Sequence, residues 1–301
     1  MTSPRMAEAT ARGRYYRRPG SDTADLISVT NVLSVGCAKP ALVPWAAKIA
    51  AEYAIEHQGA LMARSRTDRD GAVKAIKEQV TVARDKAADL GSRIHALAEA
   101  HALGTTLATE DGDDEAEKYV AQYRRFLDDF DIDLDKHVEA TELTVASPAK
   151  GVAGTLDQML WLPLDGYLEG ESVRRLPDGE RALWVVDTKT SATRPATSVY
   201  GEYALQLTAL RWMSEMWLPD GTIERFPSER IKGAAVLNLR RSSYELIPVP
   251  TGPAERAAFD GCLTLAKWMH STGHDINGGE YRPVGPSGKA KPKRTTTRKA
   301  A

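Results

Sequence analysis

Leu183-Trp184-Val185-Val186-Asp187-Thr188-Lys189-Thr190 runs four apolar residues straight into charge. An unbroken apolar run of this length suits a strand covered on both faces, as in sheets with helices on either side. Side chains two apart on a strand share a face, so Asp187 and Lys189 project together. A carboxylate and an ammonium are costly to bury unpaired, so they either pair or hold something. A bare Asp-x-Lys is also what a surface ion pair at a strand end looks like.

Gly154-Thr155-Leu156-Asp157, in the strand-like run Val152 to Leu162, changes that balance. Only turn signals at Asp165-Gly166 and Asp178-Gly179 punctuate the chain between the two runs, so they are expected to be neighbours with Asp157 near Asp187. Two carboxylates together repel and favour a cation between them. Hard divalent ions take oxygen ligands, and such an ion can activate water and neutralise a phosphate under attack. Lys189 would then sit beside the metal, orienting the water or stabilising the transition state. Further upstream, Gly91-Ser92-Arg93-Ile94-His95 lies in a helical stretch from Ala72 to Leu103, where Gly91 leaves room for a break. His95 is a candidate fourth ligand. Glu99, one turn on, shares its face, so the two could also make an ordinary surface pair.

Around these pieces the periodicity organises the chain. Thr30-Asn31 reads as a helix cap, and Trp45, Ile49 and Tyr53 recur at helical spacing. Glu115 to Phe130 is a further helix, with Ala116, Tyr119, Val120, Tyr123, Phe126, Leu127 and Phe130 on one face. From Val138 the period changes to two. A helix is expected from Val199 to Trp217, a strand pair at Ala234 to Leu239 and Tyr244 to Val249, and a last helix from Ala254 to Met269. The fold class is therefore α/β: a mixed central sheet flanked by helices, behind a helical N-terminal part. The expected organisation is a disordered basic arm over 1–20, one domain over 21–282, and a disordered basic tail over 283–301. Within the domain, 21–137 is helical, 138–250 is the catalytic core and 251–282 the C-terminal helix.

The 301 residues hold no apolar run of the length a membrane-spanning helix needs, and no signal peptide is evident, so the expectation is a cytoplasmic protein with no membrane partner. Cys37 and Cys262 are too few for a four-thiolate zinc or iron–sulfur site. The net charge of −1 hides basic ends: Arg5, Arg12, Arg14, Arg17 and Arg18 at the start, and Lys289, Lys291, Lys293, Arg294, Arg298 and Lys299 at the finish. Such runs suit a phosphate backbone, or serve only as solvated tails.

Taken in order, Gly91…His95, Gly154…Asp157, Asp187…Lys189 and Gln206 to Leu210 resemble the motifs of the PD-(D/E)XK nucleases, within them the RecB-like branch common in phage exonucleases. The opening from Ser28 to Trp45 is similar to the start of such proteins, and the resemblance covers most of residues 28 to 250. It implies a restriction-endonuclease-like core and a Mg²⁺- or Mn²⁺-dependent deoxyribonuclease, an exonuclease working in phage DNA recombination or processing. His95, Asp157, Asp187 and the Thr188 backbone carbonyl would hold the metal, with Asp157, Asp187 and Lys189 catalytic. Gln206 would position DNA or the Lys189 region. The family's tyrosine is Leu210 here, and Tyr203 is the candidate to stand in. The chain resembles the members without an iron–sulfur cluster, and with no Walker-type loop it carries no ATP motor. DNA is the implied partner, with a phage recombinase or single-strand-binding protein as candidates, in the host cytoplasm if phage-encoded. The alternatives are a DNA-end-binding protein with a weak site on the same fold, and a non-nuclease α/β protein whose charges are structural ion pairs.

Overall fold

The computed structural model describes residues 6–167, 172–272 and 286. Strands β1 (Ala7–Thr10) and β2 (Gly13–Arg17) form a hairpin, and β3 (Ala24–Ser28) follows. Helices α1 (Val29–Gly36), α2 (Leu42–Glu56), α3 (Gln58–Ser65), α4 (Arg69–Ala102), α5 (Asp113–Asp129) and α6 (Leu134–His137) come next. Then come β4 (Val138–Ser147), β5 (Val152–Leu162), β6 (Ala182–Thr190), α7 (Gly201–Arg211), β7 (Glu215–Trp217) and β8 (Ile223–Arg225). The strands β9 (Ile231–Leu239) and β10 (Tyr244–Pro248) and the helix α8 (Pro253–Thr272) complete the described chain.

All ten strands among the described residues join one mixed sheet. It is neither a ribbon nor a simple ladder, because β5 is shared. Along one edge β5 pairs antiparallel with β4 over nearly its whole length. Along the other edge its first residues pair parallel with β3, at Val152 and Ala153, and its last five pair antiparallel with β6, from Gln158 to Leu162. Between these two partners lies Gly154 to Asp157, so the sheet forks at the motif that ends in Asp157. Beyond the fork, β6 runs parallel to β9, and β9 antiparallel to β10.

Helices cover both faces. On β6, Leu183 and Val185 point into the core shared with α1, α7 and α8, while Trp184 and Val186 point into the core shared with α4 and α5. That alternation explains why the run is apolar throughout. The stripe expected on α5 is the face it buries: Tyr119, Tyr123 and Phe126 are fully enclosed, each burial worth roughly 2 kcal/mol or more.

Several expectations are corrected. Residues 7–17 are not a disordered arm. They form β1 and β2, because Tyr16 drops into an apolar cluster with Leu26, Ala146, Ala153 and Trp217. The segment 21–137 also contains β3. Helix α4 continues through Gly91 without a break. The helix expected over Val199 to Trp217 stops at Arg211, and Glu215–Trp217 pairs with β4 instead, where Trp217 is 1% exposed. The cap of α1 is Ser28, two residues ahead of Thr30, its hydroxyl accepting the Asn31 N–H at 3.1 Å. The expected tail over 283–301 lies outside the described residues apart from Pro286.

Candidate functional site

The fork in the sheet leaves Asp157 on β5 next to Asp187 on β6, since Gln158 and Val186 form the last pair before the strands part. The Thr188 N–H, left without a strand partner on that side, donates to Asp157 Oδ2 at 2.7 Å. Gly154 prepares this corner. A Cβ there would stand 2.6 Å from the Leu210 side chain on α7 and 3.1 Å from Val29, so only glycine lets both helices close on β5 three residues before Asp157.

Asp187 and Lys189 share a face as strand geometry requires, and their charges meet at 2.6 Å. Asp187 is 2% exposed. Gln206, reaching over from α7, locks the pair from above. Its amide N–H donates to Asp187 Oδ1 at 2.9 Å, and its carbonyl oxygen accepts from the Lys189 ammonium at 3.3 Å. The ammonium also lies 5.1 Å from the centre of the Tyr203 ring, a cation–π contact. Burial pushes the Asp187 carboxyl above its ordinary range, the Lys189 charge opposing and Asp157 adding to it. Burial acts to lower the Lys189 pKa, but Asp187 and Asp157 outweigh it, and the ammonium is held above its usual range.

His95 enters from α4 on the opposite side of the fork. Its Nδ1 stands 3.5 Å from Asp157 Oδ2 and 4.0 Å from Glu142 Oε1. The helix comes this close because Gly91, one turn earlier, faces Thr190, whose hydroxyl a Cβ would meet at 3.3 Å. In the sequence, Glu142 reads only as one outward position of a half-buried strand. The β4–β5 register, with Thr141 opposite Gln158 and Leu143 opposite Leu156, sets Glu142 opposite Asp157. Its backbone is in the left-handed region at φ 46°, rare for a residue with a side chain. Burial, then the charges of Asp157, Glu99 and Asp187, push its carboxyl up to about 8. Counting back from the β4–β5 turn is the signal that could find it.

Ligand atoms of His95, Glu142 and Asp157 all lie within 4.8 Å of one another, a spacing one divalent ion can bridge. Asp187 stands outside that cluster, engaged by Lys189 and Gln206. At Thr188, the backbone N–H donates to Asp157 of the cluster. The donor set, two carboxylates and an imidazole crowded together with a third carboxylate beside them, is chemically suited to Mg²⁺ or Mn²⁺. These residues line a cleft of about 1140 Å³, roofed by α4 and floored by the fork. Leu210, where a tyrosine was expected from the resemblance, is 1% exposed against Gly154 and lines the cleft with an apolar side chain that brings no hydroxyl to it. Tyr203 touches Lys189 from the preceding turn.

No helix among the described residues is long and apolar enough to cross a membrane. No protein-family model and no curated protein matches the chain. Among solved structures, the chain is similar to the crystal structure of SSO0001, at 13% sequence identity and a TM-score of 0.30, over 84% of this chain and 78% of that one.

Proposed function

We propose that the chain is a metal-dependent deoxyribonuclease of the PD-(D/E)XK superfamily, RecB-like and without an iron–sulfur cluster, acting as an exonuclease in phage DNA recombination or processing. One observation carries this reading: Asp157, Asp187 and Lys189 meet at the sheet fork, with His95 brought to Asp157 from a separate helix. Structural ion pairs alone would leave no reason for three carboxylates and an imidazole to crowd at a cleft. When bound, Mg²⁺ or Mn²⁺ would supply Lewis acidity towards the scissile phosphate and lower the pKa of water. His95, Glu142 and Asp157 would hold it, with Asp187 beside them. Lys189, fixed by Asp187 and Gln206, would offer its ammonium to the negative charge that grows on the phosphate. Gln206 holds both side chains in place. The Thr188 N–H holds Asp157 in one rotamer.

The test is cleavage of end-labelled DNA by the purified chain. Mg²⁺ or Mn²⁺ should support it and a chelator abolish it, and Ca²⁺ should support binding without turnover. Asp187→Asn, which keeps shape and the Gln206 contact, and Lys189→Met should each cost at least about 10²-fold in rate. Full cleavage in excess chelator, or a near wild-type rate for Asp187→Asn, overturns the assignment. DNA binding with no cleavage in any metal supports the end-binding alternative.

A further inference from the structure

The cleft carries four carboxylates, Glu99, Glu142, Asp157 and Asp187, and among the described residues lining it the side chains with a permanent positive charge are Lys189 and Arg14. Lys189 is neutralised by Asp187. Arg14 is different. It is half-buried, and among the described residues it makes no ion pair. Its neighbours in the hairpin are spoken for: Arg17 pairs with Glu8, and Arg18 donates to both oxygens of Glu215, at 3.1 and 2.9 Å. Arg12 is exposed at the turn and does not line the cleft.

The position of Arg14 is built, not accidental. Gly13, just before it, has φ 99°, and a Cβ there would come within 2.6–2.8 Å of the Asn31 amide. That amide donates to the Arg12 carbonyl at 2.8 Å, so the turn is seated on α1. Tyr16, two residues on and therefore on the same face, is 2% exposed, and its hydroxyl bonds Thr155 Oγ1 at 3.0 Å. The Arg14 guanidinium lies close enough to lower the pKa of that hydroxyl against the larger effect of burial. Thr155 precedes Asp157 by two residues, about 6.6 Å along β5 at 3.3 Å per residue. A half-buried guanidinium with no ion pair among the described residues therefore lines the same cleft as the crowded carboxylates, on the strand that Tyr16 ties to β5.

We propose that Arg14 binds a DNA backbone phosphate next to the one being hydrolysed and so sets the position of the strand over the metal ligands. The inference rests on the nuclease reading. A guanidinium suits this task because its planar fork can grip two phosphate oxygens at once. Without a fixed cation on that wall, the acidic cleft would repel the strand on both sides of the metal.

Steady-state cleavage of a short labelled oligonucleotide in Mg²⁺ tests it, using substrates with a single neutral methylphosphonate at phosphates flanking the first cleaved bond. Arg14→Gln should raise KM roughly tenfold or more, with kcat within about threefold of wild type, as expected for loss of one charged hydrogen-bonded contact. Arg17→Gln, which removes the same charge from the same strand but away from the cleft, should change neither. One methylphosphonate position should raise KM for the wild-type protein and have no further effect on Arg14→Gln. Arg14→Lys, which keeps the charge without the fork and guards against a folding defect, should fall between the two. Equal effects of Arg14→Gln and Arg17→Gln, or additive losses at every methylphosphonate position, overturn the proposal while leaving the nuclease intact. A wild-type chain that cuts in no metal overturns the nuclease reading itself.

Discussion

Glu142 is held where it works against the stability of the fold. It faces Asp157 directly across two strands, and like charges in that position destabilise a sheet. Its left-handed backbone adds strain of the kind that persists only where the surroundings impose it. The sign of the pH effect follows from the raised carboxyl. Below about pH 4.5 the group is protonated in both folded and unfolded chains and costs nothing. Between about 4.5 and 8 the unfolded chain loses the proton and the folded chain keeps it, so stability falls as pH rises. Glu142→Gln cannot lose a proton. In a chelator, the melting temperatures of wild type and variant should agree near pH 4.5 and separate as pH rises to 8, with the variant the more stable. The same variant should need several times more Mg²⁺ for half-maximal cleavage. A variant that is less stable at pH 8 would mean that Glu142 is a structural partner and not a crowded ligand.

Among the elements, α4 has to hold His95 steady over a fork it does not belong to, and its anchor is Arg93. That guanidinium donates to both Asp113 oxygens, at 2.6 and 2.7 Å, to Glu110 at 3.0 Å and to the Ala108 carbonyl at 2.6 Å, tying α4 to the start of α5. The helix dipole alone would account for the acidic start of α5, and the structure gives Asp113 this second task. Arg93 and the Glu110 N–H hold the Asp113 carboxyl down at about 2, from an ordinary 3.8. A depressed carboxyl stabilises the fold above its unfolded pKa and loses that effect as pH falls from about 4 to 2. Asp113→Asn should therefore melt lower than wild type at pH 7, and the gap should close by pH 2; a constant gap across that range would show that the charge is irrelevant. The elements legible in the sequence are those whose pattern comes from their own burial. Val185 and Val186 mark β6, and Tyr119 and Tyr123 mark α5, because each position answers to a core face. The hairpin of β1 and β2 is not legible: its one fully buried side chain is Tyr16, packed with Leu26 and Trp217 from elsewhere, and its arginines dominate the reading. The end of α7 misleads for a related reason. Leu210, Met213 and Trp217 keep a helical spacing by coincidence, yet Trp217 is claimed by the cluster under Tyr16. Asp157, Asp187 and Lys189 can be paired by reasoning along strands, whereas Glu142 and Arg14 need the register between strands.

For the whole molecule, a net charge of −1 says little about affinity for the DNA that the nuclease reading proposes, and the distribution says more. The basic residues fall into two populations. Those of the N-terminal hairpin are built into the sheet, so on the nuclease reading their effect on DNA would depend on geometry, as Arg14 against Arg17 would show. Six more, Lys289, Lys291, Lys293, Arg294, Arg298 and Lys299, lie in a stretch of Pro, Gly, Lys and Thr with no apolar residue to bury beyond alanine. Charge of that kind acts by neutralising phosphates and releasing counterions, independently of base sequence and more weakly as salt rises. Removing residues 287–301 should weaken DNA binding at low salt. It should also reduce the slope of log affinity against log salt by up to roughly 0.7–0.9 for each phosphate that the tail neutralises. On the nuclease reading, the maximal cleavage rate should stay within about twofold, since the proposed metal ligands and Lys189 sit at the sheet fork. Affinity measured at several salt concentrations for both lengths of chain separates the two populations. Parallel slopes would mean that the tail leaves DNA alone and that the hairpin and cleft carry the whole electrostatic attraction. A large fall in maximal rate would place the tail over the cleft, where its charge would position the strand and not merely attract it.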